Sequence, residues 1–281
     1  MKKLLKWEFR ATSRQIVPLY LVLGGMTVLG VLYLLLYGVL ENSDTGKMVL
    51  GVLTPLALLT FIFTIAAVSV GTFGILLFRY YRNLIRDEGY LMHTLPVTPA
   101  KLVLSKFIAA YVWMVLSVVL ILLSVLILAF AAAVSYGEGI DWGHIWQALV
   151  SSGIFEGIIP FLLAVLVSGA SGILLFYAAI SIGQCITRHK VAGAVGAYFG
   201  LYTALQIINM IMMIVYFIIV AKTDVLWEIN FQVSSGSSAF STVNSSLMTP
   251  FMIMITLLYA IYSVVFYMIS KYMLTKKLNL E

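Results

Sequence analysis

The chain has 281 residues, 62% hydrophobic and only 10% charged, with a mean hydropathy of +1.07. Soluble domains carry about 25% charged residues, so this composition excludes an ordinary soluble domain and predicts an all-α integral membrane protein. A single cysteine, Cys185, excludes an internal disulfide framework, and the isolated His93, His144 and His189 offer no metal-ligand spacing.

Residues 1–15 carry Lys2, Lys3, Lys6, Arg10 and Arg14. At about 100° per residue these cations share an arc of roughly 120°, opposite Leu4, Leu5, Trp7 and Phe9. The pattern predicts an amphipathic N-terminal helix lying on an anionic leaflet; a loose basic tail is the plainer alternative. The apolar run that follows is too long for a cleavable signal and lacks a small-residue cleavage site.

Six apolar runs are expected to span the membrane: 17–40, 49–78, 107–134, 157–184, 191–220 and 250–270. Two longer loops separate the later spans, 135–156 and 221–249. In the first of these, Asp141 is placed to cap a short interfacial helix carrying Trp142, Ile145, Trp146 and Leu149. The remaining long polar stretch, 79–106, lies between the second and third spans.

Six spans put both termini on one side of the membrane. Fifteen of the 17 lysines and arginines fall in the N-terminal segment, the 79–106 block, the 185–190 turn and the C-terminal tail. Positive charge stays inside, so both termini are predicted to be cytoplasmic and the 135–156 and 221–249 loops extracellular. The net charge of +6 therefore points to membrane topology, and no nucleic-acid partner is expected.

No charged residue falls deep in a span, although proton relays and ion-coupled carriers usually need one. The sequence has no Gly-x-x-x-x-Gly-Lys-Ser/Thr loop; Gly46-Lys47 is followed by Met48. Nor does it contain a Gly-x-Ser-x-Gly elbow. No catalytic, cofactor or metal residues are expected, and the chain reads as a non-enzyme. Energy for any transport is then expected to come from elsewhere.

Within the spans, Gln206 and Asn209 lie three apart on one helix face. They read as an interhelical hydrogen-bond pair or as the lining of a substrate path. Gly196-x-x-x-Gly200 and Ser168-x-x-x-Gly172 read as close-packing faces or as hinges. Tyr20, Tyr33 and Tyr37, with Met26, are candidates for an aromatic wall facing lipophilic cargo.

The 79–106 block holds the densest chemistry. Leu84 to Met92 suits a short helix, which Pro96 and Pro99 interrupt because each biases the preceding residue away from helix. Pro99 itself suits the first turn of the next helix. The run from Arg86 to Lys106, with Glu88, Gly89, Leu95, Pro96, Val97, Thr98, Leu104 and Lys106, resembles the coupling segment of permease subunits of type-2 ABC exporters. The layout is similar too, with a basic N-terminal helix, six spans and the coupling segment after the second.

The resemblance implies a cytosolic coupling helix that docks on a separate ABC ATPase subunit through Arg82, Arg86, Asp87, Glu88, Gly89, Tyr90, Leu95 and Pro96. It further implies that ATP-Mg binds on that partner, with no cofactor in this chain. The permease would pair with a second copy or a similar permease, in a bacterial plasma membrane. The alternative is a non-transporting sensor, immunity or assembly protein whose 79–106 block binds another cytosolic partner.

Overall fold

The computed structural model describes residues 2–40, 43–85, 98–135, 143, 147, 154–185, 190–222 and 247–276. Nearly all of them belong to six helices: α1 (Lys2–Leu40), α2 (Asp44–Ile85), α3 (Pro99–Ser135), α4 (Ile154–Gly183), α5 (Lys190–Ala221) and α6 (Thr249–Lys276). No strand occurs among the described residues. A segment in hydrocarbon finds no water for its peptide groups, and a helix bonds them all within itself. All six helices are long and apolar enough to cross a membrane, the make-up of a multi-pass membrane protein.

Helix ends follow local chemistry. Ser43 caps α2, its Oγ accepting the Gly46 N–H at 2.9 Å, and Asp44 adds negative charge to the first turn. Pro99 opens α3, and the Thr98 carbonyl accepts the amides of Lys101 and Leu102 at 2.9 and 3.3 Å.

The helix limits run beyond those of several apolar runs. α1 is one helix from Lys2, with no break between the expected surface helix and the span at 17–40, and it passes straight through Pro18. α2 continues past Phe78 to Ile85, so Leu84 and Ile85 belong to it and not to a separate short helix. Hydropathy marks where lipid would end, whereas a helix ends only where its backbone bonding stops. No glycine or proline interrupts 79–85. The expected coupling helix, the short helix at 142–149 (apart from Gly143 and Gln147) and the 223–246 stretch lie outside the described residues.

The chain divides into two compact units. The first comprises Met1–Tyr80 and Leu104–Asp141, and so holds α1, most of α2 and most of α3. Its helices bury stripes at spacings of three or four: Glu8, Thr12 and Ile16 in α1, and Thr64, Val68, Thr72 and Leu76 in α2. In α3 the buried set includes Ser105, Lys106, Ala109, Ala110, Trp113 and Ser117. Many of these are small or hydroxylated, while Leu21, Phe63 and Val70 are 71%, 69% and 73% exposed. That is the reverse of a soluble core. Lipid supplies no hydrophobic drive between helices, so close contact through small and hydroxylated side chains holds them.

The second unit comprises Tyr81–Val103 and Trp142–Glu281. α4 is its centre, packed against both α5 and α6. Ile173, Tyr177, Ala178 and Ser181 are buried on α4, and Tyr262, Phe266, Ser270 and Leu274 recur at every fourth position on α6. The Tyr267 hydroxyl donates to the Ala100 carbonyl at 3.3 Å, joining α6 to the first turn of α3.

Two glycines are sterically required, and the first is Gly46, where a Cβ would sit 2.0 Å from the Leu40 carbonyl oxygen. A Cβ on Gly183 would sit 2.3 Å from the Ala194 nitrogen and 2.5 Å from its Cα, so the end of α4 approaches α5 backbone to backbone. Gly172, Gly196 and Gly200 differ: a Cβ there meets nothing within 4 Å. They do not form close-packing faces against described residues of this chain, because no neighbour comes near enough to need a missing side chain. Gly183→Ala should therefore destabilise the protein by about 1–3 kcal/mol, seen as a lower thermal midpoint in detergent. Gly200→Ala should leave that midpoint unchanged or raise it, since alanine is the better helix former.

Candidate functional site

The structure reaches the 79–106 block from both sides. Arg82 lies in the last turn of α2 and is exposed, the one expected docking residue among those described. Arg86, Asp87, Glu88, Gly89, Tyr90, Leu95 and Pro96 lie outside the described residues. The two roots of the block are well defined. They are held by a residue from the far N-terminus.

Glu8 of α1 is buried, only 8% exposed. One carboxylate oxygen, Oε1, accepts the Lys106 ammonium of α3 at 2.6 Å. The other, Oε2, accepts Nε and Nη2 of Arg79 on α2, both at 3.0 Å. Each oxygen thus serves a different helix. Thr12, one turn on, donates its hydroxyl to the Glu8 carbonyl at 2.7 Å and is itself buried, as is Ile16.

Aromatic contacts continue the same seam. Trp113 of α3 lies 6.3 Å from Phe9 and 6.1 Å from Tyr20, ring centre to ring centre. The Tyr20 hydroxyl lies 2.6 Å from Ser117 Oγ and 3.1 Å from the Trp113 carbonyl, within hydrogen-bond reach of both. The inward face of the N-terminal segment is therefore Glu8, Thr12 and Ile16. Trp7, expected on the apolar face, is 66% exposed with the Arg10 guanidinium 6.0 Å from its ring centre. At about 100° per residue Trp7 falls beside Arg14 at the edge of the cationic arc and not opposite it, whereas Glu8 falls on the far side of the helix.

The cluster lies outside the apolar runs, since Glu8 precedes 17–40, Arg79 follows 49–78 and Lys106 precedes 107–134. Burial works to raise the carboxyl's pKa, but attraction to Lys106 and then Arg79 outweighs it and leaves the value below the ordinary 4.5. A lowered folded-state pKa means that ionisation stabilises the fold above the unfolded value. That contribution is lost as pH falls below 4.5 and through the folded value.

Glu8 was legible only in part. It is the sole acid among the first fifteen residues, and Thr12 and Ile16 follow at four-residue steps, which marks a stripe. Its partners are 71 and 98 residues away in sequence, and no local pattern points to them.

Gln206 and Asn209 prove to have separate partners. Gln206 is exposed, and its Nε2 donates at 2.8 Å to the Tyr202 hydroxyl one turn back on α5. Asn209 crosses to α6: its Nδ2 donates to Tyr259 at 3.4 Å, and its Oδ1 accepts the Tyr262 hydroxyl at 3.3 Å. Both cross-helix contacts are long, near the limit for such bonds.

The tyrosines of α1 also separate. Tyr33, with Met26, Gly30, Thr54, Phe61 and Leu128, lines a laterally open cavity of about 630 Å³ in the first unit. Its hydroxyl bonds Thr54, the main polar feature of an otherwise apolar wall. Tyr20 lines a smaller cavity of about 440 Å³ with Thr27 and Ser124. Tyr37 stands edge-on to Tyr33 at 6.4 Å. No group of three or more His, Cys, Asp or Glu residues that could hold a metal ion occurs among the described residues.

Comparison with protein-family models, with curated proteins and with solved structures found no match.

Replacing Glu8 removes the carboxylate from beside a buried ammonium. Glu8→Gln should cost about 3 kcal/mol near neutral pH, read from denaturant unfolding in detergent. The gap between wild type and Glu8→Gln should shrink as pH falls below 4.5, because the wild-type carboxyl then protonates; a pH-independent gap would contradict the ion cluster. On α5, Asn209→Leu should cost about 1 kcal/mol for two long cross-helix bonds, while Gln206→Leu should change stability little.

Proposed function

We propose that this chain is the membrane-spanning permease subunit of a type-2 ABC exporter, driven by a separate ATPase subunit and working as a dimer. ATP-Mg is bound and hydrolysed on the partner, and both termini and the 79–106 block face the cytoplasm of a bacterial cell. Segment 86–97 is the docking element, with Arg82 at its edge. Gln206 and Asn209 remain candidates for the substrate path, Gln206 being the more accessible.

The observation that carries this reading is where segment 86–97 is attached. It joins two helices of 42 and 37 residues, about 63 and 55 Å long at 1.5 Å per residue. The hydrocarbon core is about 30 Å thick, so both helices have length to spare. Their charged ends, with Arg79, Arg82, Lys101 and Lys106, flank the segment, and charge of that sign stays on the cytoplasmic side. Such an arrangement suits a lever: a partner that displaces the segment pulls on both helices at once. The order Glu88-Gly89 then Leu95-Pro96-Val97-Thr98 supplies the likeness to exporter permeases.

Affinity purification of the tagged chain from its own membrane, followed by an ATPase assay of the eluate, tests the reading. The wild type should bring down a nucleotide-binding subunit with ATPase activity, and Leu95→Asp should lose it, because a charge replaces an apolar docking contact. A wild-type eluate without ATPase activity overturns the exporter reading.

A further inference from the structure

Segment 86–97 joins the end of α2 to the start of α3, so a pull on it acts on those two roots. Arg79 lies about two turns before Ile85, and Lys106 about two turns after Pro99. Two helices held at that level by their connecting segment alone would slide or splay when the segment is pulled. The Glu8 carboxylate bridges them there, with Lys106 Nζ at 2.6 Å on one oxygen and the Arg79 guanidinium at 3.0 Å on the other.

The same contact brings α1 into the linkage. Glu8 sits on a helix that runs unbroken to Leu40 and is buried along the stripe through Thr12 and Ile16. Phe9 and Tyr20 flank Trp113 further along α3. A segment that served only to anchor the chain on a leaflet would leave its acid in water. Here the acid is enclosed and its cations come from the two helices that carry the docking segment.

We propose that Glu8 is a positioning residue that ties α1, α2 and α3 into one body, so that movement of segment 86–97 shifts all three helices together. The proposal rests on the permease reading, because it assigns the pull to the ATPase partner. The charges must face one another across the helices, but their placement can be exchanged. Exchanging all three charges, with Glu8→Lys, Arg79→Glu and Lys106→Glu, sets a cation on α1 against acids on α2 and α3, and so keeps the tie.

The test uses the co-purified complex in lipid nanodiscs. In a Cys185→Ser background, Met48→Cys carries an environment-sensitive fluorophore; Met48 is 81% exposed and lies near the far end of α2 from Arg79. Emission is recorded before and after trapping with Mg-ATP and vanadate. The wild type should show a change in emission. Glu8→Gln should retain the ATPase subunit and its hydrolysis, yet show an emission change smaller by about threefold to tenfold. The fully exchanged set should recover most of the wild-type change, which a loss of general stability would not do.

A full emission change in Glu8→Gln overturns the tie and leaves the permease reading standing. A wild-type complex that hydrolyses ATP without an emission change also overturns it. If Glu8→Gln does not yield monodisperse protein, the fully exchanged set decides, and a folded, hydrolysing complex with no emission change overturns the proposal. A wild type that brings down no ATPase overturns the permease reading and the tie with it.

Discussion

Hydrocarbon offers no partner for a peptide group, and most of this structure follows from that. Each described span must bond its own backbone, which makes it a helix, and the proline-bearing helices α1, α2 and α4 stay helical through Pro18, Pro55 and Pro160. The same solvent removes the usual reason for burying leucine. Large aliphatic side chains on α1 and α2 face outward, and threonine, serine and alanine take the contact positions. Hydroxyls on those faces return their protons to their own helices, as Thr27 does to Leu23 and Ser117 to Trp113. Contact between helices is therefore close but individually weak.

Against that background the Glu8 cluster is the strong contact of the first unit. An ionised carboxylate taken out of water is costly unless several donors surround it. Arg79 and Lys106 meet that requirement together, with three N–H···O contacts over two oxygens. Arg79 is suited to its place because a guanidinium presents two parallel donors to one acceptor, whereas the Lys106 ammonium acts as a point charge. The cluster thereby sets the relative placement of α1, α2 and α3 at the level where each leaves its apolar run. The second unit relies instead on α4 as a packing centre and on the backbone contact at Gly183.

The aromatic and polar side chains within the spans have a different character. Asn209 reaches two tyrosines through long bonds, and Gln206 turns to a tyrosine on its own helix. Weak contacts of this kind cost little to exchange. The apolar cavity beside Tyr33 carries a hydrogen bond between two helices on its wall, Tyr33 with Thr54. A pocket of this make-up takes apolar groups more readily than ions.

The sequence alone determined the number of long apolar runs, the helical state that hydrocarbon imposes on them, and the placement of positive charge among the loops. These are sums over neighbouring residues, and transfer energies add along a chain. It also marked 79–106 as the chemically dense block, although the residues at its centre lie outside those the structure describes. Helix limits were less legible, because a charge ends an apolar run without ending a helix; α1 therefore begins at Lys2 and α2 reaches Ile85. Only the tertiary structure decided that Glu8 meets Arg79 and Lys106, and that Asn209 and Gln206 part company. Partner choice depends on how three helices are rotated and staggered against one another. Side chains 71 and 98 residues apart cannot register that in any local pattern.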